Sequence, residues 1–496
     1  MAISVSALKY NYVSIQSPKS GKKAIDLSSH LIQTEYFEDL LSPVITMKMR
    51  IRSEFNYIAN VPIRGGEMIA FSANVGGTTV TFGELDGANI VPDSGELYVY
   101  KVSDLSQPSQ AQDFVLNITS LEFFKNETSR CQFKFKSQSI DKHIRQILGP
   151  HVMNVNPDKI LDKNIEETDN TYSFIGNNRK PFYTIEWLCP KSIGGGSKQG
   201  VSGDGNTAQG TGTAGFLFYE NREGFNFKSI TSLVRSTTLK SNSQKAVYSY
   251  FYRGQGGAES SDKLSENLSM IFFHLNKSTD IRKALSTGQY ASLTVFYDSL
   301  EQKFSQIEYK LGKQVNEDTL GGNDDNDDDA LPVPKGLEDH ISRLYTRVSD
   351  HGTVGIGSDG LEASGMDPVD QAKAISRYNA LFSQSLNIQV PCNTNLKVGD
   401  IINLTFPELS MGKSKGIDQS MSGNYLISRL NHHIQPNASF SSLNLIRDSY
   451  GYSEAYPVDT LQSGDIIDES GAVAEKVQVD NRRYGTNTRG SFWLTK

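Results

Sequence analysis

The sequence is poor in the residues that build several specialised classes of protein. It has three cysteines, Cys131, Cys189 and Cys392, among 496 residues. They are too few and too far apart for a disulfide framework or a zinc site, which is typical of a protein from a reducing cytoplasm. No run approaches the roughly 18 apolar residues that a membrane-spanning helix needs, so we expect no membrane span. The N-terminal residues lack the charged start and apolar stretch of a signal peptide, and none is predicted.

Basic residues are also in the minority. The chain has 49 Lys and Arg against 56 Asp and Glu, a formal net charge of −7. This balance argues against binding nucleic acid through bulk charge, because phosphates require a basic face. Aromatic residues, in contrast, are plentiful at 10% of the chain. Ring surface on this scale predicts packed cores, and the length predicts roughly three domains.

Residues 1–137 have the pattern of short antiparallel strands. Apolar and polar residues alternate in several short segments, and residues 67–75 and 78–82 flank Gly76-Gly77 as a hairpin would. The segment predicts a small barrel or sandwich. One interruption, residues 30–41, has helical spacing at Leu31, Tyr36 and Leu40 and predicts a short helix crossing the sheet.

An α+β unit is predicted over residues 138–235. Residues 139–148 place apolar side chains on one helical face with Ser139 as N-cap, and residues 181–188 form a second helix with Pro181 in its first turn. A hairpin follows, turning at residues 221–224. The Gly-rich residues 193–215 read as a flexible loop within this unit.

A second β region is predicted over residues 236–310 and 373–450. Its strands match the first region in length and alternation, so an internal duplication is a hypothesis. Residues 311–372 form an acidic polar insertion, whose Asp-rich run at 323–329 repels itself. Residues 451–496 predict an extended or flexible C-terminal tail.

None of the segments that match a catalytic or ligand-binding motif has the context that the chemistry requires. Residues 210–215 match G-x-G-x-x-G but precede a strand instead of a helix. Asp325, Asp327 and Asp329 lack the glycine and glutamate of a calcium loop, although the run could hold an adventitious cation. His432 and His433 are adjacent and face opposite sides of a strand. We therefore predict no enzyme activity, no cofactor and no metal site.

Residues 374–448 carry a resemblance to a known family. A helix leads into a strand, then into a tight turn at Val398-Gly399-Asp400, and a final hairpin begins at Ser422-Gly423 and includes Tyr425. This arrangement resembles the baseplate central hub protein of contractile-tailed phages. It is more distantly similar to the phage late-control protein and to the spike hub of type VI secretion. The order of units matches that family over about residues 1–450.

The resemblance implies a mainly β fold with an α+β part, built from two tail-tube-like antiparallel β-barrels and a small α+β domain. It also implies a homotrimer that joins the hexameric tail tube to the trimeric, cell-puncturing spike and contacts other baseplate proteins. DNA would pass through the trimer without specific binding, and an acidic lumen would let it slide. The protein would be part of the virion, in the tail baseplate, and would be assembled in the host cytoplasm.

Two segments are candidates for interfaces. Tyr248, Tyr250 and Tyr252 share one face of a strand, and Phe492, Trp493 and Leu494 could form a docking peptide. The alternatives are that the tyrosines fill a core and that the C-terminal residues are a frayed end.

Two other functions remain as alternatives to a structural hub. The first is a hub with cell-wall hydrolase activity, although the insertion is short and polar for a lytic domain. The second is a carbohydrate-binding β-protein, which would need exposed tryptophans. Of the two tryptophans, Trp187 is expected on a buried helix and Trp493 lies in the tail.

Overall fold

A computed structural model gives the fold of the chain. It describes residues 8–17, 23–61, 63–75, 78–107, 110–194, 215–234, 247–252, 268–277, 280–299, 301–310, 320, 340–349, 355–357, 360–362, 368–407, 418, 421–436, 438–448, 477–479 and 490–492. The fold over these residues is mainly β with several short helices, as the sequence predicts. Of the predicted Gly-rich loop at residues 193–215, residues 195–214 lie outside the described residues, as does the acidic run at 323–329.

The strands and helices are numbered in chain order. The strands are β1 (Leu8–Gln16), β2 (Ile25–Asp26), β3 (Leu31–Asp39), β4 (Thr46–Ser53), β5 (Met68–Val75), β6 (Thr78–Phe82), β7 (Glu84–Asp86), β8 (Asn89–Val91), β9 (Leu97–Ser106), β10 (Gln112–Ser120), β11 (Lys134–Ser139), β12 (Thr171–Ile175), β13 (Phe216–Asn221), β14 (Gly224–Ser229), β15 (Tyr248–Tyr252), β16 (Ser269–Met270), β17 (Phe272–Lys277), β18 (Ala291–Asp298), β19 (Lys303–Lys310), β20 (Arg343–Val348), β21 (Gly355–Gly357), β22 (Gly360–Glu362), β23 (Gln384–Pro391), β24 (Ile401–Thr405), β25 (Gly423–Ile434), β26 (Phe440–Arg447), β27 (Val477–Val479) and β28 (Gly490–Phe492). The helices are α1 (Tyr57–Asn60), α2 (Leu121–Thr128), α3 (Ile140–Leu148), α4 (Pro181–Leu188), α5 (Ile230–Val234), α6 (Ile281–Ser286) and α7 (Pro368–Ala380).

One large sheet runs through both predicted β regions. In the first region β3, β4, β10, β9, β5 and β1 are hydrogen-bonded in that order. The sheet continues into the second region because β3 pairs antiparallel with β25, from Arg429 opposite Asp39 to Ile434 opposite Thr34. The two β regions therefore share backbone hydrogen bonds as well as side-chain contacts.

The pairings in the second region form one continuous path of strands. From β15 they run through β24, β25, β26 and β23 to β17. β17 follows β16 after one residue, and β16 pairs with β15. The pairs of β15 with β24 and with β16 are parallel, whereas the sequence predicted antiparallel strands throughout.

Several local predictions are confirmed, and one is wrong. Helices α3 and α4 and the hairpin of β13 and β14 lie where the pattern places them. Residues 31–39, predicted as helix, form strand β3. Thr34, Tyr36 and Glu38 point to the core side of that strand and are at most 3% exposed. Because two of these three inward residues are polar, the two-residue period of the strand is hidden in the sequence.

Three large hydrophobic cores underlie this architecture in the part of the chain that the structure describes. One lies beneath the second β region and includes Leu430 and Leu443, and another beneath the first includes Met47 and Ile118. The third lies in the α+β part and includes Ile144 and Phe218. None of the described helices is long and apolar enough to cross a membrane.

The predicted insertion contributes to packed structure. β20 pairs parallel with β18, which also pairs with β19, so that three strands form a separate small sheet. Leu320 is buried in the core beneath the second β region, and its backbone N–H donates to Asp448 Oδ1 at 2.9 Å. β27 and β28 pair only with each other among the described strands.

Candidate functional site: a groove on the large sheet

A groove with a mixed polar and apolar lining crosses the large sheet where the two β regions meet. Its volume is about 830 Å³. Because side chains alternate along a strand, half of those on β3, β4 and β25 enter the cores and the other half face the groove. The residues that line it include Phe37, Asp39, Lys48, Phe272, His274, Asn387, Gln389, Arg429, Asn431, Ser442 and Asn444.

The charges in the groove are few and largely matched. Arg429 Nε lies 2.8 Å from Asp39 Oδ2, across the β3–β25 pairing. Lys48 Nζ lies over the ring of Phe37, 5.4 Å from its centroid. Most other polar residues are amides and hydroxyls, so the face can hydrogen-bond without presenting a dominant charge. Within the described residues, no group of three or more His, Cys, Asp or Glu side chains could hold a metal ion.

A buried carboxylate lies directly behind the groove. Glu38 is 2% exposed; its Oε2 accepts a hydrogen bond from the backbone N–H of Val398 at 2.8 Å. Its Oε1 accepts from the Tyr36 hydroxyl at 2.7 Å and from the backbone N–H of Arg222 at 2.9 Å. Burial raises the pKa of Glu38 to about 7, although these hydrogen bonds oppose the shift. One side chain thus joins β3, the β13–β14 turn and the turn before β24.

A second buried network links the α+β part to the first β region. Lys159 Nζ lies 2.7 Å from Glu122 Oε2 and 3.2 Å from Glu220 Oε1. Glu220 Oε2 also accepts from the Ser120 hydroxyl and from the Ile45 backbone N–H. Burial alone would lower the pKa of Lys159, but the two carboxylates raise it. Burial raises the pKa of Glu220, and Lys159 opposes that shift.

The first half of the sequence motif forms the tight turn that was predicted. Gly399 has φ of +92°, and a Cβ there would overlap the Tyr219 hydroxyl. Its N–H donates to Ile427 O at 3.1 Å, and the Ile427 N–H donates to Asp400 O at 3.0 Å. Burial raises the pKa of Asp400. This turn positions the preceding residue, Val398, against Glu38.

The second half of the motif begins strand β25. Ser422 O accepts from Arg447 Nη1 at 3.1 Å, and the Ser422 hydroxyl accepts from the Phe406 backbone N–H at 2.9 Å. Gly423 has φ of +127°. Tyr425 is 1% exposed. The Arg447 guanidinium carbon lies over the Tyr425 ring, 5.0 Å from the ring centroid. These residues build the hairpin, and none of them faces the groove.

The tyrosine strand is largely internal. Tyr250 is 1% exposed, and its hydroxyl accepts from Asn393 Nδ2 at 3.1 Å. Tyr248 and Tyr252 are partly buried and pack against the same core. β15 pairs on both sides, with β24 and β16. Tyr250 therefore lies in the core, and of the three tyrosines only Tyr248 and Tyr252 have surface that is accessible to a partner.

The remaining aromatic candidates differ in position. Phe492 lies in strand β28, whereas Trp493 and Leu494 lie outside the described residues. Trp187, expected on a buried helix face, is 38% exposed, because α4 buries Phe182, Ile185 and Leu188 instead. Lys191 Nζ lies 4.5 Å from the centre of the Trp187 ring. One face of that ring is consequently covered by a cation.

Glu38, Arg222 and Lys159 are the residues that sequence reasoning missed. Each acts on a partner far away in the chain, and no local motif marks them. The two histidines at 432 and 433 were placed correctly, since His432 is 2% exposed and His433 lies on the other side of β25. His432 stacks on Tyr36 at 6.0 Å between ring centroids, and burial lowers its pKa to about 3.

Comparison with known proteins gives structural likeness only. No family model and no curated protein sequence matches the chain. A tail protein from Neisseria meningitidis is 11% identical, with a TM-score of 0.46 over 89% of this chain and 96% of that one. The 43 kDa tail protein of prophage MuSo2 from Shewanella oneidensis is 9% identical, with a TM-score of 0.45 over 88% and 98%. Prophage tail protein gp18 from Listeria monocytogenes is 9% identical, with a TM-score of 0.43 over 88% and 94%.

The chain resembles phage tail proteins. This is the class of protein that the sequence resemblance predicted. At these TM-scores the likeness is one of general arrangement, and it does not show what the chain binds.

Proposed function

We propose that this chain is the structural hub of a phage baseplate. Three copies would join the hexameric tail tube to the trimeric spike, contact other baseplate proteins and enclose a conduit for DNA. The protein would belong to the virion and would be assembled in the host cytoplasm. Catalysis has no part in this function.

The continuity of the large sheet is the observation that supports this proposal best. Antiparallel pairing of β3 with β25 joins the two β regions into a single sheet, and the groove lies on one face of that sheet. A repeated unit of this kind is suited to forming a ring from few copies. We further propose that the pairings of β15 to β26 with β16 and β17 close a small barrel, and that β3 to β1 form its counterpart.

The proposed conduit face is the side of the sheet that carries the groove. The charged side chains in the groove are Lys48 and Arg429 against Asp39, and Arg429 pairs with Asp39. The overall acidity of the chain suggested a lumen lined by carboxylates; this face favours a lumen of amides and paired charges instead. DNA would pass such a surface without specific binding, because one unmatched cation, Lys48, is too little positive charge to hold phosphates.

The mass of the purified chain in solution tests the proposal. Light scattering should give three times 54.8 kDa, about 164 kDa. A mass of one chain at high concentration would contradict the hub, because a baseplate trimer needs large permanent interfaces. Double-stranded DNA added at moderate salt should not shift in a gel.

Two alternatives have their own tests. If the chain is a hub that also hydrolyses cell wall, it should clear a peptidoglycan zymogram. If it binds carbohydrate, exposed Trp187 is the one tryptophan in the described residues that could contact a sugar, and Trp187→Ala should abolish retention on a glycan column.

A further inference from the structure

Helix α4 presents a row of exposed rings and cations. Tyr183 and Trp187 are four residues apart and therefore lie on one side of the helix. Tyr183 is 51% exposed and Trp187 is 38% exposed. A cation from each end of α4 covers one ring: the Arg179 guanidinium carbon lies 5.2 Å from the centroid of Tyr183, and Lys191 Nζ lies 4.5 Å from that of Trp187. We call these four residues the α4 surface.

The α4 surface belongs to a locally basic region of an acidic chain. β11 pairs with β12, which brings residues 130–136 beside the segment that leads into α4. Residues 130–136 and 175–191 together carry one acid, Glu186, and six cations: Arg130, Lys134, Lys136, Arg179, Lys180 and Lys191. One of the six, Lys180, pairs with Glu127. Because the whole chain has a net charge of −7, this excess of positive charge is a local feature.

Exposed apolar side chains accompany these charges. Phe133 and Ile175, on the same two paired segments, are 47% and 49% exposed. Trp and Tyr rings beside Lys and Arg are typical of the boundary between a bilayer and water, where the rings lie at the headgroup level and the cations meet anionic lipids. A nucleic acid strand would instead stack its bases on open ring faces. Since a cation lies over both Tyr183 and Trp187, the arrangement favours a lipid surface over a nucleic acid.

We propose that the α4 surface binds the anionic surface of a lipid bilayer, with its two rings at the headgroup level and its two cations against lipid phosphates. The protein would bind to one leaflet without spanning the bilayer. Burial lowers the pKa of Lys191 to about 8, so this lysine is still mostly protonated at pH 7. The proposal does not depend on the hub function, because the particle mass and the binding to vesicles are measured separately.

Sedimentation of the full chain with lipid vesicles tests this binding. At pH 7 and low salt, the chain should bind vesicles of phosphatidylglycerol and phosphatidylcholine at least tenfold more tightly than vesicles of phosphatidylcholine alone. The double variant Arg179→Glu/Tyr183→Ser should lose at least tenfold of the affinity for the phosphatidylglycerol vesicles. Arg64→Glu/Tyr100→Ser is the matched control, because it makes the same two changes at exposed residues of the first β region, and it should keep the affinity within about twofold.

Tryptophan fluorescence locates the contact on the protein. The chain has two tryptophans, so Trp493→Phe leaves Trp187 as the reporter. Vesicles of brominated phosphatidylglycerol should quench the Trp187 emission at least twofold. Equal affinity for the two kinds of vesicle, equal losses in the two double variants, or unquenched Trp187 emission would each overturn the proposal, as would binding to single-stranded DNA without binding to vesicles. Since the residues changed in the double variants are exposed, equal melting temperatures should confirm that these variants fold.

Discussion

The carboxylate of Glu38 lies 2.8 Å from the backbone N–H of Val398, and 360 positions separate the two residues in the chain. This contact ties the first β region to the turn that opens strand β24. It also places an ionisable group in a site with 2% exposure, where its protonation state affects stability.

Stability should depend on pH through Glu38. Its pKa of about 7 in the folded protein exceeds the value near 4.3 expected on unfolding, so the folded state binds the extra proton between these values. The contribution of Glu38 to stability is therefore fully present below about pH 4 and is lost as the pH rises through 7. In denaturant unfolding from pH 5 to 8, the free energy of unfolding should decline less with pH for Glu38→Gln than for the unaltered chain. Glu35→Gln, on the outward side of β3, is the matched control, and identical slopes for Glu38→Gln and the unaltered chain would contradict the prediction.

Gly399→Ala should destabilise the protein by more than about 2 kcal/mol. The residue combines a positive φ with a Cβ position already occupied by the Tyr219 hydroxyl. Gly66→Ala is the matched control, because Gly66 has φ of +86° and open space around the Cβ position. Adding Tyr219→Phe to Gly399→Ala should recover part of the loss. If thermal unfolding shows the same loss of stability for Gly66→Ala and Gly399→Ala, the overlap with the Tyr219 hydroxyl does not contribute.

Lys159→Met should cost about 3–5 kcal/mol at pH 8, because Glu122 and Glu220 would remain buried without their cation. The loss should shrink as the pH falls and Glu220, whose pKa is already raised, takes up a proton. Lys163→Met removes a lysine from a mostly exposed pair with Glu223 and should cost less than about 1 kcal/mol. Similar losses for both variants in urea unfolding would refute the idea of an essential buried cation.

Tyr250→Ala should destabilise each chain by about 3–5 kcal/mol, since the ring is buried in the core beneath the second β region. Tyr250→Phe, which removes only the acceptor for Asn393, should cost about 1 kcal/mol. The particle mass of the folded Phe variant should be unchanged in light scattering. Tyr100→Ala, at a 42% exposed residue, serves as the comparison. If Tyr250→Phe lowers the particle mass without lowering the stability of the chain, Tyr250 is an interface residue and the prediction is wrong.

Local pattern was sufficient for elements whose signals lie within a few residues. Three such signals span only a few residues each: the apolar spacing of α3, the proline that begins α4, and the turn residues of the β13–β14 hairpin. Gly399 lies in the tight turn that the sequence predicts, and Gly423 is the first residue of β25; both have a positive φ.

The sequence by itself therefore determined the β-rich composition, the positions of the short-range elements and the absence of recognised catalytic motifs. Only the tertiary structure decided that residues 31–39 form a strand, that β3 extends the sheet into the second region, and that Glu38, Arg222 and Lys159 hold the parts together. The inward side of β3 is polar because it meets donors from β13–β14 and from the turn at Val398. Because the buried residues of β3 are matched to partners far along the chain, the sequence of this strand lacks the two-residue apolar period.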